Sequence, residues 1–210
     1  MSADALAAAR ELCAAGRTLA AQGLAPGTSG NISLRVAGGY VMTPTNAALG
    51  ELVPERISRL DERGEHTGGD APTKERALHI ALYERRPDAR AIVHTHSTNA
   101  VALACLCEVD PENVLLPLTP YALMRVGRLV LAPYARPGSG ALVERVTARA
   151  GDSHAILLSN HGPIVAGPTL AAAVAAVCEI EEAAKVQMLV HGRDVRLLSA
   201  ADIAELAASS

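Results

Sequence analysis

The sequence predicts an α/β fold: a single domain over residues 1–210, with a central mixed, largely antiparallel sheet flanked by helices. Three observations favour it. Segments of strand and helix character interleave along the chain, two apolar runs are joined by short turn sequences typical of hairpins, and no repeat or linker divides the 210 residues. This length suits one domain with a substantial core. Because Phe and Trp are absent and only four Tyr occur, we expect a core of Ala, Val, Leu and Ile.

The first third of the chain contains one helix and two strand pairs. Residues 3–23 are Ala-rich with interspersed charges, which indicates an amphipathic helix and excludes a signal peptide. Residues 32–36 alternate as a strand does, and the turn at 38–39 leads into a second strand at 40–42, which predicts a hairpin. Residues 55–66 indicate a further strand pair.

The middle of the chain is predicted as helix, strand, helix. Asp70 or Thr73 is a suitable cap for a helix that ends near residue 86, before a proline. Residues 91–96 are expected to form a short buried strand, and residues 97–107 a helix.

The last third continues the alternation. Residues 114–132 indicate strands and loops, and residues 138–150 a helix. Residues 155–165 are an apolar run interrupted by a turn sequence, which predicts strand, turn and strand. A long helix is expected over residues 168–192.

Charge excludes two classes of partner. The formal net charge is −3 and the basic residues are scattered, whereas binding to nucleic acid or to a membrane surface needs a basic face. No apolar run approaches the roughly 18 residues of a membrane-spanning helix. The four cysteines have apolar neighbours in sequence and no CxxC spacing, so we interpret them as small buried hydrophobic residues in a reducing cytosol. They are Cys13, Cys105, Cys107 and Cys178.

Three histidines are candidate metal ligands. His94 and His96 are two apart on a predicted strand, where side chains share a face and converge; the alternative is a pair of hydrogen-bonded structural histidines. His161 lies in a turn sequence after a strand and would complete a three-histidine set, which suits zinc and similar metals. The alternative for His161 is an exposed turn residue.

Glu75 is a candidate acid/base. It is expected in the first turn of a helix, where a carboxylate commonly serves only to complement the helix dipole. Beside a metal it would instead act as a ligand and transfer protons. Two small-residue loops, 28–31 and 43–46, offer hydroxyl, amide and backbone N–H groups that suit a phosphate. The helix entry at Thr73 and Lys74 would add a dipole and an ammonium group.

The order of these elements resembles the class II aldolase/adducin family across nearly the whole chain. The resemblance implies one divalent metal per chain, usually zinc, held by His94, His96 and His161, with Glu75 as the catalytic acid/base near or on the metal. It implies a homotetramer in which Tyr121 reaches a neighbouring subunit's site. Phosphate or substrate binding carries over to Gly30, Asn31, Thr45, Asn46, Thr73 and Lys74.

Within the family, several segments look like the 3-oxo-tetronate 4-phosphate decarboxylases. They are residues 43–50, 69–75, 118–121 and 124–127. Fuculose-phosphate aldolases usually have a small hydroxyl residue where this chain has Lys74, and a tyrosine in the C-terminal tail, which residues 200–210 lack. Ribulose-phosphate epimerases usually replace the glutamate.

The resemblance therefore implies a carbon–carbon lyase acting on a small phosphorylated sugar acid. Loss of CO2 from a 3-oxo-tetronate 4-phosphate leaves an enediolate whose charge a cation stabilises, and protonation yields dihydroxyacetone phosphate. Retro-aldol cleavage passes through the same enediolate, so a fuculose-phosphate-like aldolase is the main alternative. An adducin-head-like interaction domain without catalysis is a remote one, because such domains are expected to lack these ligands. Lys74 is the candidate for holding the charged substrate.

Overall fold

The computed structural model describes residues 2–208, and in this range the strands form one sheet. The strands are β1 (Asn31–Val36), β2 (Gly39–Met42), β3 (Ser58–Asp61), β4 (His66–Gly68), β5 (Ala91–His94), β6 (Leu129–Ala132), β7 (Ala155–Leu158) and β8 (Gly162–Gly167). Their order across the sheet is β4-β3-β2-β1-β5-β8-β7-β6. Every neighbouring pair is antiparallel except β6 and β7, which confirms the predicted mixed, largely antiparallel sheet.

Helices cover both faces of this sheet. They are α1 (Ala3–Ala21), α2 (Arg76–Arg85), α3 (Thr98–Ala104), α4 (Pro120–Arg125), α5 (Gly140–Arg149), α6 (Leu170–Val190) and α7 (Ala200–Ala208). Helices α1, α3 and α6 pack on one face over one aliphatic cluster, and α2 and α5 pack on the other face over a second cluster. The fold is therefore an α/β/α sandwich, and the two clusters are built almost wholly from Ala, Val, Leu and Ile.

Strand alternation decides which side chains meet α2. In β5, Ala91 and Val93 belong to the cluster under α1 and α6, whereas Ile92 belongs to the cluster under α2. His94 follows the same alternation and lies on the α2 face. In the antiparallel pairing of β1 with β5, Asn31 lies opposite His94. Polar residues at the ends of the two central strands are thus brought to one point beneath the start of α2.

The structure corrects the prediction for residues 114–132. Instead of strands and loops alone, this region contains the helix α4 followed by the single strand β6. Helix α4 has six residues and buries only Ala122, so it is too short to show a helical period in sequence. A proline starts it, as suits the first helical position.

The cysteine interpretation is also corrected. Cys13 is buried on α1, but Cys178 is half-buried, and Cys105 and Cys107 are exposed. The predicted helix over residues 97–107 ends at Ala104, so Cys105 and Cys107 lie in the segment that follows the helix. Apolar neighbours in sequence do not place a side chain inside when the element that would bury it has ended.

None of the helices among residues 2–208 is long and apolar enough to span a bilayer.

Candidate active site

Three imidazoles converge at the carboxyl end of β5. The Nε2 atom of His94 lies 3.0 Å from that of His96 and 3.3 Å from that of His161. Their ligand atoms all fall within 4.8 Å of one another. The carboxylate of Glu75 completes the cluster, with Oε2 3.5 Å from His94 Nε2 and Oε1 3.9 Å from His161 Nε2. The structure therefore brings together the four residues singled out as metal ligands and acid/base.

The convergence of His94 and His96 has a different local cause from the one predicted. Strand β5 ends at His94, so His96 lies on the extended segment after the strand. Gly162 starts β8 with φ 148°, and a side chain there would collide with the Thr95 carbonyl oxygen. A glycine at this position lets the His161 turn approach the segment between the other two histidines.

Glu75 is held in place by two loops that are joined to each other. It was expected in the first turn of the helix but occupies the N-cap position of α2, so the helix begins later than predicted and neither Asp70 nor Thr73 caps it. The Thr73 N–H donates to the Thr43 carbonyl at 3.1 Å, and the Thr45 N–H donates to the Ala71 carbonyl at 2.9 Å. These two hydrogen bonds join the 43–46 loop to the segment that enters α2 and so fix the loop relative to the backbone of Glu75.

Burial keeps the three imidazoles neutral. Desolvation lowers the pKa of His94 and of His96, and lowers the pKa of His161 to about 4. Burial alone would raise the pKa of Glu75, but the adjacent His94 and the amide of Asn31 outweigh it, so its pKa is lowered. The cluster therefore combines a carboxylate whose ionised form is favoured with three imidazoles whose neutral forms burial favours.

This donor set fits a divalent cation. The Nδ1 of His94 is 2.8 Å from the Pro163 carbonyl, which fixes the hydrogen on Nδ1 and leaves the Nε2 lone pair free. Tetrahedral binding at ordinary zinc–nitrogen lengths needs ligand nitrogens about 3.3 Å apart, close to the spacing found here. Glu75 Oε1 is buried without a hydrogen-bond partner among the described residues. Three lone pairs and an unsatisfied carboxylate oxygen around one point are what a resident cation would satisfy.

A cavity of about 580 Å³ opens onto this cluster. Both predicted phosphate loops line it, and so do Glu75, His96 and His161. The residues predicted for phosphate or substrate binding are all present in its wall: Gly30, Asn31, Thr45, Asn46, Thr73 and Lys74. Lys74 is exposed there. Tyr121 does not line this cavity; it lies on α4 with 57% of its surface exposed.

A set of polar residues behind Glu75 was not predicted from the sequence. His79 and Tyr83 on α2 and Ser33 on β1 are buried and hydrogen-bonded to one another, and His79 also bonds to Asn31. Their spacing was visible: residues 75, 79 and 83 follow at four-residue steps on one helical face, and residues 31 and 33 share a strand face. The strand pairing that brings those two faces together could not be predicted from the sequence.

Comparison with known proteins gives a consistent family. The family model described as "Class II Aldolase and Adducin N-terminal domain" matches residues 10–188. The 3-oxo-tetronate 4-phosphate decarboxylase of Escherichia coli K12 is 44% identical over 88% of this chain and 88% of its own length. The L-fuculose phosphate aldolase of the same strain is 33% identical over 79% of this chain and 75% of its own length.

Solved structures agree with the sequence comparison. YgbL from Klebsiella pneumoniae, for which aldolase, epimerase and decarboxylase activities have been suggested, superposes with a TM-score of 0.92. The match is 39% identical and covers 98% of this chain and 100% of that one. The sheet order, the cluster of three histidines with a glutamate, and these matches lead to one conclusion: the chain belongs to the class II aldolase and adducin family.

Proposed function

We propose that this protein is a carbon–carbon lyase that decarboxylates a 3-oxo-tetronate 4-phosphate to dihydroxyacetone phosphate and CO2. The proposal is supported by a carboxylate and three imidazoles that lie together beside a cavity lined by two loops rich in hydroxyl, amide and backbone N–H groups. One observation carries the choice of reaction: the 44% identity to a 3-oxo-tetronate 4-phosphate decarboxylase over 88% of both chains, against 33% to a fuculose phosphate aldolase.

The residues divide the reaction between them. The C1–C2 bond of the substrate breaks, CO2 leaves, and the electron pair passes to C2 and the C3 carbonyl oxygen. His94, His96 and His161 would hold a divalent cation, which would supply Lewis-acid stabilisation of that charge when bound. Glu75, next to the imidazoles, takes up a proton from water in the cavity and delivers it to C2. One proton is consumed, and the product is dihydroxyacetone phosphate.

The cavity wall holds the two anionic ends of the substrate. The backbone and side-chain donors at Gly30, Thr45 and Asn46 bind the phosphate without net positive charge. Lys74, on the wall beside Glu75, attracts the carboxylate that departs as CO2. With this assignment, the ammonium group of Lys74 lies next to the bond that breaks, and the uncharged loops bind the phosphate.

Three finer points belong to the same proposal. Zinc is the expected metal, because three neutral imidazoles and a carboxylate suit it. A homotetramer is expected, with Tyr121 of each chain at a neighbour's cavity, and its exposure on α4 leaves it available for that contact. The cytosol is the expected compartment, where sugar-acid phosphates are metabolised.

The test is a product analysis that separates decarboxylation from aldol cleavage. Both reactions release dihydroxyacetone phosphate, so the purified protein is given a 3-oxo-tetronate 4-phosphate and CO2 is measured alongside it. We expect equimolar CO2 and dihydroxyacetone phosphate, and little turnover of fuculose 1-phosphate. Cleavage of fuculose 1-phosphate without CO2 release from the oxo acid would assign the aldolase instead.

A further inference from the structure

A line of buried polar side chains runs from Glu75 into the interior, away from the cavity. The Asn31 Nδ2 donates to Glu75 Oε2 at 2.8 Å, and the Asn31 Oδ1 is 2.5 Å from His79 Nε2. On the other side of the ring, His79 Nδ1 is 2.7 Å from the Ser33 hydroxyl, which is 2.9 Å from the Tyr83 hydroxyl. Four consecutive hydrogen bonds thus connect the carboxylate to the core.

The direction of every bond in this line follows from its end. The Glu75 carboxylate is lowered in pKa and accepts, so the Asn31 amide must donate to it with Nδ2 and accept with Oδ1. His79 Nε2 must therefore carry the ring hydrogen, which leaves Nδ1 to accept from the Ser33 hydroxyl. Ser33 then accepts from Tyr83. One tautomer of His79 is consistent with the line, and it leaves no donor facing a donor.

The environment keeps His79 in that neutral form. Its side chain is 0% exposed, as is that of Ser33, and Tyr83 is 1% exposed. Burial lowers the pKa of His79 to about 3, so the ring is uncharged at neutral pH. A charged ring would offer hydrogens from both nitrogens and would break the bond from Ser33.

Burying His79, Ser33 and Tyr83 in the core costs free energy, which suggests that they have a functional role. Tyr83 belongs to the buried cluster between the sheet and the helices α2 and α5, and the other buried members of that cluster are aliphatic. Apolar residues in place of the polar ones would avoid the cost of desolvating an imidazole and two hydroxyls. Buried networks of this kind restrict the geometry of their members when every group is satisfied. The member that faces the cavity is Glu75.

We propose that His79 is a positioning residue that acts through Asn31 to hold the Glu75 carboxylate against the three imidazoles. This inference rests on the proposed role of Glu75 in the reaction. It gives Asn31 a second task besides its predicted part in phosphate binding: one amide hydrogen and its carbonyl oxygen are committed to Glu75 and His79. Ser33 supports the arrangement by fixing the tautomer of the ring.

A pair of substitutions tests the hydrogen bond without changing the volume of the side chain. His79→Gln keeps an N–H that can reach the Asn31 carbonyl, whereas His79→Met has nearly the same shape and no donor. We expect kcat to fall at least tenfold in His79→Met with KM within about twofold, and to recover by several-fold in His79→Gln. His154→Met, at a half-buried histidine that immediately precedes β7 and does not line the cavity, is the matched control and should retain the wild-type kcat.

Crystal structures of the same variants give a readout that does not depend on turnover. In His79→Met we expect the Asn31 amide to turn and the Glu75 carboxylate to leave its position beside His94, while the three histidines stay in place. Metal content, measured by mass spectrometry, should match wild type. If His79→Met does not fold, Ser33→Ala removes only the hydroxyl that fixes the tautomer, and should lower kcat by at least threefold.

The outcomes separate this inference from the proposed reaction. Wild-type protein that releases no CO2 refutes the reaction, and the inference is then judged by the position of Glu75 in the variant structures. Active wild-type protein with unchanged kcat in His79→Met, or in Ser33→Ala where that variant replaces it, overturns the inference. So does a variant structure in which Glu75 keeps its place, and so does equal loss in His79→Gln and His79→Met, which would indicate a purely structural role.

Discussion

The Glu75 carboxylate is 7% exposed, yet its pKa is lowered. Burial disfavours the ionised form of a carboxyl group, so the stabilisation of the charge by neighbouring residues must exceed the cost of desolvating it. One oxygen accepts from Asn31, and the other is buried without a hydrogen-bond partner among the described residues. That free oxygen is the one that is available to a cation or to a substrate proton.

Replacing Glu75 separates proton transfer from metal binding. Glu75→Gln keeps the shape of the side chain and leaves three histidines, so we expect the fold and most of the metal to be retained. Turnover should fall by about 100-fold or more, the usual effect of losing a positioned acid/base. Steady-state kinetics and metal analysis on one preparation check both parts. Near-native turnover in the metal-loaded variant would mean that another group transfers the proton.

Lys74 is one of the two features by which this sequence is expected to differ from the fuculose-phosphate aldolases. If its ammonium group attracts the substrate carboxylate, Lys74→Ser should lower kcat/KM on the 3-oxo acid phosphate at least tenfold, or about 1.4 kcal/mol of transition-state stabilisation. Metal content and assembly should not change.

The chain offers a matched control for this substitution. Lys185 is the other lysine and is exposed on α6, paired with Glu182 at 3.8 Å. Lys185→Ser should have wild-type kinetics. Equal kinetics in the two variants would leave Lys74 as a surface charge.

Among the elements, α3 is held by a residue from another helix. Its N-cap Ser97 makes no side-chain capping bond. Instead, the Glu181 carboxylate on α6 accepts from the Asn99 N–H at 3.0 Å and the Ala100 N–H at 2.9 Å. A carboxylate on the first free N–H groups of a helix complements the helix dipole. Because α3 starts two residues after His96, this contact also secures the segment that carries that histidine.

Removing this cap should cost stability. Glu181→Ala is expected to lower the free energy of unfolding by about 1–2 kcal/mol, the upper range for loss of an N-cap, since two backbone donors lose their acceptor. Denaturant titration followed by circular dichroism measures it. Glu182→Ala, the adjacent exposed glutamate, should change stability by less than about 0.5 kcal/mol. A loss of the same size in both variants would contradict a specific cap.

Most elements could be predicted because they carry a clear hydrophobic period or a turn signal. The hairpin of β1 and β2, the helices α1, α5 and α6, and the pair β7 and β8 are of this kind. Helices α4 and α7 were missed. Helix α4 has six residues, and α7 follows a stretch without regular structure and begins with a local cap in which Ser199 bonds to Asp202 at 2.7 Å. Short peripheral helices depend on such caps and on docking, which a periodicity argument does not detect.

The sequence indicated which residues form the site, but it did not indicate how strand pairing brings them together. Residue type and order indicated the histidines, Glu75 and both loops. The positions of His79, Ser33 and Tyr83 could not be interpreted before the pairing of β1 with β5 was known, because that pairing places Asn31 beside His94. Contacts between residues more than 40 positions apart depend on the order of strands in the sheet, and local sequence patterns do not predict that order.

At the scale of the whole molecule, the proposed ligands come from distant parts of the sequence. His94 and His161 lie 67 positions apart, so a bound cation connects the centre of the sheet to the turn between β7 and β8. Such an ion would bind the folded chain in preference to the unfolded one. At 100 times its dissociation constant it would stabilise the fold by about 2.7 kcal/mol.

Metal removal should therefore affect stability as well as activity. We expect dialysis against a chelator to abolish turnover and lower the Tm, and stoichiometric divalent metal to restore both. The double variant His94→Ala/His96→Ala should contain no ion by mass spectrometry and should not respond to the chelator. Unchanged metal content in that variant would refute the assignment of these ligands.

The proposed assembly is tested by sedimentation. Helix α4 exposes Tyr121 and Met124, at 57% and 50%, and large apolar side chains exposed together commonly mark contacts between subunits. Analytical ultracentrifugation at micromolar concentration should give a homotetramer built from single-domain chains of residues 1–210. A monomer at that concentration would contradict both the assembly and the role of Tyr121.

The joining of the 43–46 loop to the entry of α2 has a consequence for how new activities could evolve. The histidines and Glu75 are supported by strand ends and a buried network, whereas Lys74 and the loop residues in front of them are supported largely by their own backbone bonds. Side chains at the cavity wall can therefore be exchanged without disturbing the reactive centre. Libraries that vary residues 28, 29 and 74 should yield folded enzymes with altered substrate preference, whereas libraries at 31, 33 and 79 should mostly yield inactive ones.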